Sequence, residues 1–257
     1  MVSISLIKTK NSLSARERLV LALDVDDFSS AENLVNLLKN YVGVFKIGSQ
    51  LFTSEGTNII NMINKAGARI FLDLKFHDIP NIVKGAAESA TKLGVYMFTI
   101  HTSGSYEMMK AAADAARETS EKLGIKKPLV LGVTILTSIN QEILEKEICV
   151  KKSLKEYVVY LAKLAKSAGL DGVVASPQEI KEIRASCGND FIILTPGIRS
   201  AGEELNDQKR IMTPKQALEQ GADFLVIGRP IRNAKNPVKA AQDILKEMED
   251  IKNDKQR

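Results

Sequence analysis

Three ionisable side chains, Asp73, Lys75 and Asp78, fall within six residues in the stretch FLDLKFHDIPNIV, residues 71–83. An apolar run precedes them and a helix-forming segment follows. Alternate side chains of an extended strand share a face, so Asp73 and Lys75 project together as an adjacent acid and base. Such a pair can hold or move a proton, and a desolvated ammonium can stabilise developing negative charge. Taken alone, the pair reads first as a structural ion pair. Two more charges weigh against that reading: Asp24 in LVLALDV and Lys46 in VFKIG sit in the two preceding apolar runs. Three successive strands therefore carry charge at one end.

Apolar runs that could position these groups recur at residues 19–25, 44–48, 70–74, 97–101, 129–136, 172–175, 191–194 and 224–228, separated by amphipathic, helix-length segments. Eight strand and helix units of about 30 residues each are what a closed barrel requires, and strands buried on both faces read as nearly unbroken apolar runs. The expected fold class is α/β, a single-domain (β/α)8 TIM barrel. A short N-terminal arm, residues 1 to about 17, is expected beneath it, and a polar tail from Lys246 is expected to fray beyond the last helix. No composition shift marks a linker.

Bulk composition narrows the partners. A formal charge of +5 comes from 36 Lys and Arg against 31 Asp and Glu, dispersed rather than striped. With five Tyr, eight Phe and no Trp there is little surface for stacking bases, so a small anionic substrate is expected and nucleic acid is not. Cys149 and Cys187 lack metal or disulfide spacing, which points to reduced thiols and a cytoplasmic setting. No apolar stretch approaches the roughly 20 residues that span a bilayer. The opening MVSISLIKTKNSLSAR is basic and acid-free, a composition shared by transit peptides and by an arm packed under a barrel.

Along the chain, Ser29 or Ser30 is expected to cap the helix after Asp24. Lys46, amid apolar neighbours, needs a carboxylate or an opening, and Asp24 and Asp73 are the candidates. Pro80 suits a helix's first turn, leaving Asp78 at the strand's mouth. His77 and His101 receive no chemical role. Thr137 and Ser138 end the fifth strand, either facing substrate or capping the next element, and residues 139–152 make a long, lid-like connection. Pro196, Gly197 and Arg199 follow the seventh strand, and Gly228 and Arg229 the eighth. Barrels commonly bind phosphate between those two loops, and a guanidinium can contact two phosphate oxygens at once.

Jointly, Asp24, Lys46, DLKFHDIPN, the LTS of residues 136–138, TPGIR at residues 195–199, DQKRIMTP from Asp207 and IGRPI resemble the orotidine 5′-phosphate decarboxylase family across residues 19–231. Hexulose-phosphate synthases of the wider superfamily share DxKxxD but not the FHDIPN continuation. The resemblance implies cofactor-free decarboxylation of a nucleotide, orotidine 5′-phosphate, to uridine 5′-phosphate, the last step of de novo pyrimidine synthesis, without a metal. It implies Lys75 as proton donor within an array of Lys46, Asp73, Lys75 and Asp78, in a homodimer whose Asp78 reaches the partner's site. It further implies Asp24 and Lys46 at ribose hydroxyls, Thr137 at the pyrimidine, and Arg199, Gln208, Gly228 and Arg229 at the phosphate. Ile79, Pro80, Asn81, Ile82 and Pro196 complete the implied contacts, with Ile82 replacing the family's usual threonine. The rival readings are a Schiff-base lysine at Lys75 or Lys46, a divalent metal on Asp73 and Asp78, and a catalytically silent nucleotide-binding scaffold.

Overall fold

The apolar runs form eight strands: β1 (Leu19–Ala22), β2 (Val44–Gly48), β3 (Arg69–Phe76), β4 (Met97–His101), β5 (Leu129–Val133), β6 (Gly172–Val174), β7 (Ile192–Thr195) and β8 (Phe224–Ile227). The computed structural model describes residues 13–199 and 212–254. Each strand pairs in parallel with the next, and β8 closes on β1. This is the expected (β/α)8 TIM barrel.

Helices cover the outside: α1 (Ala15–Arg18), α2 (Phe28–Leu38), α3 (Ser49–Glu55), α4 (Thr57–Lys65), α5 (Pro80–Lys92), α6 (Tyr106–Leu123), α7 (Gln141–Lys146), α8 (Leu154–Ser167), α9 (Ile180–Cys187), α10 (Pro214–Glu219), α11 (Arg229–Arg232) and α12 (Pro237–Asp254). Pro80 opens α5 as expected, with Ile79 at the N-cap. Two local expectations are corrected. Asp27, not Ser29 or Ser30, caps α2, because the helix begins at Phe28 and the Asp27 carboxylate accepts the Ser30 N–H at 2.8 Å. The segment from Lys246 does not fray at once but continues α12 to Asp254. Asn140 caps α7, which leaves Thr137 and Ser138 without that duty.

Strand alternation sorts the core into two clusters. Outward residues such as Leu21, Phe45, Ile47, Leu72 and Phe98 pack under the helices. Inward residues Val20, Ala22, Val44, Phe71, Met97 and Leu131 fill the barrel's lower interior. Fully burying each large apolar side chain stabilises the fold by about 1.5–3 kcal/mol, so polar groups are tolerated only where the interior opens. The register shows where that happens. Val20 lies beside Val44 and Ala22 beside Lys46, while Lys46 lies beside Phe71 and Gly48 beside Asp73. One inward step beyond the apolar layer, each of these strands presents a charge.

The pairing of β3 with β4 is irregular at this level. Leu72 pairs with Phe98, but Phe76 pairs with Ile100, so four residues of β3 pass two of β4. Inside that bulge Lys75 takes φ 54°, a left-handed conformation that costs an L-residue about 1–2 kcal/mol.

Candidate active site

Four side chains from β1, β2 and β3 and their ends form an alternating line of charge. Lys46 Nζ lies 3.0 Å from Asp24 Oδ1 and 3.6 Å from Asp73 Oδ2, and Lys75 Nζ lies 2.9 Å from the same Asp73 oxygen. Asp73 is 8% exposed, so its charge requires these partners. Gly48 keeps the line open, since a Cβ there would stand 3.0 Å from Lys46 Nζ.

A hydroxyl completes the arrangement. Thr99 Oγ1 donates to Asp73 Oδ1 and accepts the Lys75 backbone N–H, both at 3.0 Å. Sequence reasoning passed over Thr99, although a hydroxyl between the apolar Phe98 and Ile100 was the available signal.

Two cavities adjoin at the barrel mouth. One, of about 190 Å³, has Lys46, Asp73 and Lys75 at one side, Thr137 at another, and an apolar wall including Phe71, Val133, Val174 and Leu194. The other, of about 350 Å³, is bounded by Asp24, Arg199, Gly228, Arg229 and Arg232. Lys46, Pro196 and Val226 line both, so they form one trough. One end suits a flat, weakly polar ring beside an ammonium, and the other suits an anion. Arg232, which the sequence reading missed, donates through Nη1 to the Asp24 carbonyl and so ties α11 to the chain following β1.

The family model for the orotidine 5′-phosphate decarboxylase / HUMPS family matches residues 17–244, from α1 through all eight strands into α12. The chain belongs to this family. An orotidine 5′-phosphate decarboxylase from Syntrophomonas wolfei subsp. wolfei is 54% identical over 239 residues, covering 93% of this chain and all of that protein. Another, from Moorella thermoacetica, is 47% identical over 240 residues, covering 93% and 95%. The crystal structure of orotidine 5′-phosphate decarboxylase from Lactobacillus acidophilus aligns with a TM-score of 0.80 at 38% identity, over 90% of this chain and 98% of that one.

Of the residues expected from the family resemblance, Asp24, Lys46, Asp73, Lys75, Thr137, Pro196, Arg199, Gly228 and Arg229 all line the trough. Gln208 lies outside the described residues. Asp78, Ile79, Pro80, Asn81 and Ile82 do not line it within one chain; they are exposed where β3 gives way to α5. The Asp78 carboxylate accepts the Ile79 N–H at 2.6 Å.

Behind Lys75, the rings of His77 and His101 lie 5.2 Å apart, inclined at 41°. Burial lowers the His101 pKa from its ordinary 6.5, as do His77 and Lys75, while Asp73 opposes them. The folded chain therefore takes up this proton less readily than the unfolded one. His101 contributes stability that is full above the unfolded pKa of 6.5 and is lost as pH falls toward the lower folded value. Between about pH 7 and about pH 5, the melting temperature of wild type should fall more steeply than that of His101→Gln. Parallel curves would remove His101 from the acid limb.

Proposed function

We propose that this chain, a carboxy-lyase of its family, converts orotidine 5′-phosphate to uridine 5′-phosphate and CO2. The line Asp24, Lys46, Asp73, Lys75 at one end of a trough whose other end holds Arg199 and Arg229 supports this reading above all else. In the step, the bond from C6 to the carboxyl carbon breaks, its electron pair stays on C6, and CO2 departs. The Lys75 ammonium faces that charge and then gives C6 a proton, to be regained from solvent. The apolar wall lowers the local dielectric and strengthens the ammonium's effect. Asp73 orients Lys75 and, with Lys46 also on Oδ2 and Thr99 on Oδ1, is held beside the departing carboxylate. Like-charge repulsion there is relieved as CO2 leaves, a smaller contribution than orientation.

Thr137 meets the pyrimidine, Asp24 and Lys46 the ribose, and Arg199, Gly228 and Arg229 the phosphate. Binding energy at the phosphate holds the ring against Lys75. The reading includes a homodimer completed by Asp78 and a cytoplasmic setting, to which the free thiols of Cys149 and Cys187 are suited. Among the described residues no helix is long and apolar enough to cross a membrane.

The deciding experiment monitors absorbance of orotidine 5′-phosphate with purified protein and excess chelator. Turnover is expected. Activity only with added divalent metal would favour metal on Asp73 and Asp78, borohydride trapping of a carbonyl substrate would favour a Schiff-base lysine, and uridine 5′-phosphate binding without turnover would leave a scaffold. Because Arg229 is assigned to the phosphate, Arg229→Ala should lower kcat/KM for the nucleotide by roughly 10²-fold. Turnover of the phosphate-free nucleoside should change little, and equal losses on both would remove Arg229 from that task.

A further inference from the structure

The bulge in β3 creates a local problem that Thr99 resolves. Between Leu72 and Phe76 the ladder to β4 is out of register, so the Lys75 N–H bonds to the Thr99 side chain rather than to a β4 carbonyl. A buried backbone donor left unmet is costly. Thr99 sits on the inward face of β4, two residues beyond Met97, and is 0% exposed.

The hydroxyl's single proton fixes the direction of both bonds. Having accepted the Lys75 N–H, Oγ1 donates its own proton to Asp73 Oδ1, which leaves Oδ2 to the two ammonium groups. We propose that Thr99 is the positioning residue of the acid and base pair: one hydroxyl holds the left-handed backbone of Lys75 and the rotation of the Asp73 carboxylate together. This inference rests on the decarboxylase reading of the trough. Its consequence is directional. The Lys75 side chain leaves a backbone that an ordinary strand would not adopt, and the hydroxyl keeps Nζ aimed into the cavity at the height of Asp73. The β-branched Thr99 side chain has a restricted χ1, so the hydroxyl is itself held in place. A serine would keep the chemistry with looser aim, whereas a valine would keep the shape and lose both bonds.

The test compares Thr99→Val and Thr99→Ser with wild type, reading kcat and KM for orotidine 5′-phosphate and Kd for uridine 5′-phosphate, with crystal structures of the variants. Thr99→Val should lower kcat about 10²-fold, the scale of a misplacement of about 1 Å, with KM and Kd within about threefold of wild type. Thr99→Ser should recover kcat to within about fivefold of wild type, and should do so without restoring the lost methyl packing. Where Thr99→Val does not fold, Thr99→Ala is read against Thr99→Ser in the same way. A valine variant with near wild-type kcat, or a serine variant as impaired as valine, would overturn the proposal. So would a loss confined to KM. Should wild type itself fail to decarboxylate, the functional reading falls, and the crystal structures alone judge Thr99. Lys75 keeping positive φ and its contact with Asp73 in Thr99→Val would then refute the positioning role, and loss of either would uphold it.

Discussion

Lys75→Ala should lower kcat for orotidine 5′-phosphate by at least about 10⁴-fold, because in the proposed mechanism it removes both the proton donor and the charge facing C6, each worth about 10²-fold or more. Uridine 5′-phosphate should still bind. The cavity proposed for the phosphate takes its arginines from the segments after β7 and β8, and Lys75 does not line it. Orotidine 5′-phosphate should bind less well than its product in the variant. Without Lys75, Asp73 keeps, among the described residues, Lys46 at 3.6 Å and the Thr99 hydroxyl at 3.0 Å, and its less balanced charge would repel the substrate carboxylate. Folding should be little affected, since the Lys75 side chain is partly exposed and Asp73 retains Lys46 and the Thr99 hydroxyl as partners. Isothermal titration with both nucleotides, beside single-turnover kinetics, measures each part. Substantial residual turnover would take the proton away from Lys75, and lost product binding would mean that the substitution had damaged the site as a whole.

The ease with which the sequence exposed this site has a physical origin. Strand alternation continues from the packed interior to the rim, so Val20, Ala22 and Asp24 form one inward series, Val44 and Lys46 a second, Phe71 and Asp73 a third. A charge two residues beyond a buried apolar side chain is conspicuous at the end of an apolar run. Arg229 and Gly228 were legible for the same reason, falling at the end of the last run. The apolar wall of the cavity was not. Val133, Val174 and Leu194 read as core because a residue that packs inside a barrel and one that lines its mouth have the same side chain. Thr99 was missed because a hydroxyl in a strand satisfies itself in many ways, and only the bulge beside it gives this one a particular task. The left-handed Lys75 was invisible to alternation, which assumes regular strand geometry; the bulge nevertheless returns its ammonium to Asp73. Arg232 follows the phosphate-type motif rather than belonging to it, and its bond to the Asp24 carbonyl depends on how α11 sits against β1.

Mixing Lys75→Ala and Asp78→Asn proteins, each nearly inactive alone, should restore about a quarter of wild-type activity per chain. Asp78 stands at the mouth three residues after Lys75 yet does not line the trough of its own chain. Beyond it, Ile79 is 65% exposed and Ile82 53%, an apolar pair on the rim that a second copy would cover. In a two-fold dimer the same patch meets itself, so each Asp78 approaches the other chain's site. Random exchange makes half the dimers hybrid. In a hybrid, one site takes Lys75 from the Asp78→Asn chain and Asp78 from the Lys75→Ala chain and is whole, while the other carries both defects. Half the dimers with one sound site of two gives the quarter. In the proposed dimer Ile82 bears on strength rather than on sharing: lacking a hydroxyl, it would offer the ribose no hydrogen bond across the interface. Ile82→Thr should accordingly tighten nucleotide binding without altering the recovered fraction. Heterodimers identified by differential tagging that show no gain in turnover would confine Asp78 to a role within its own chain.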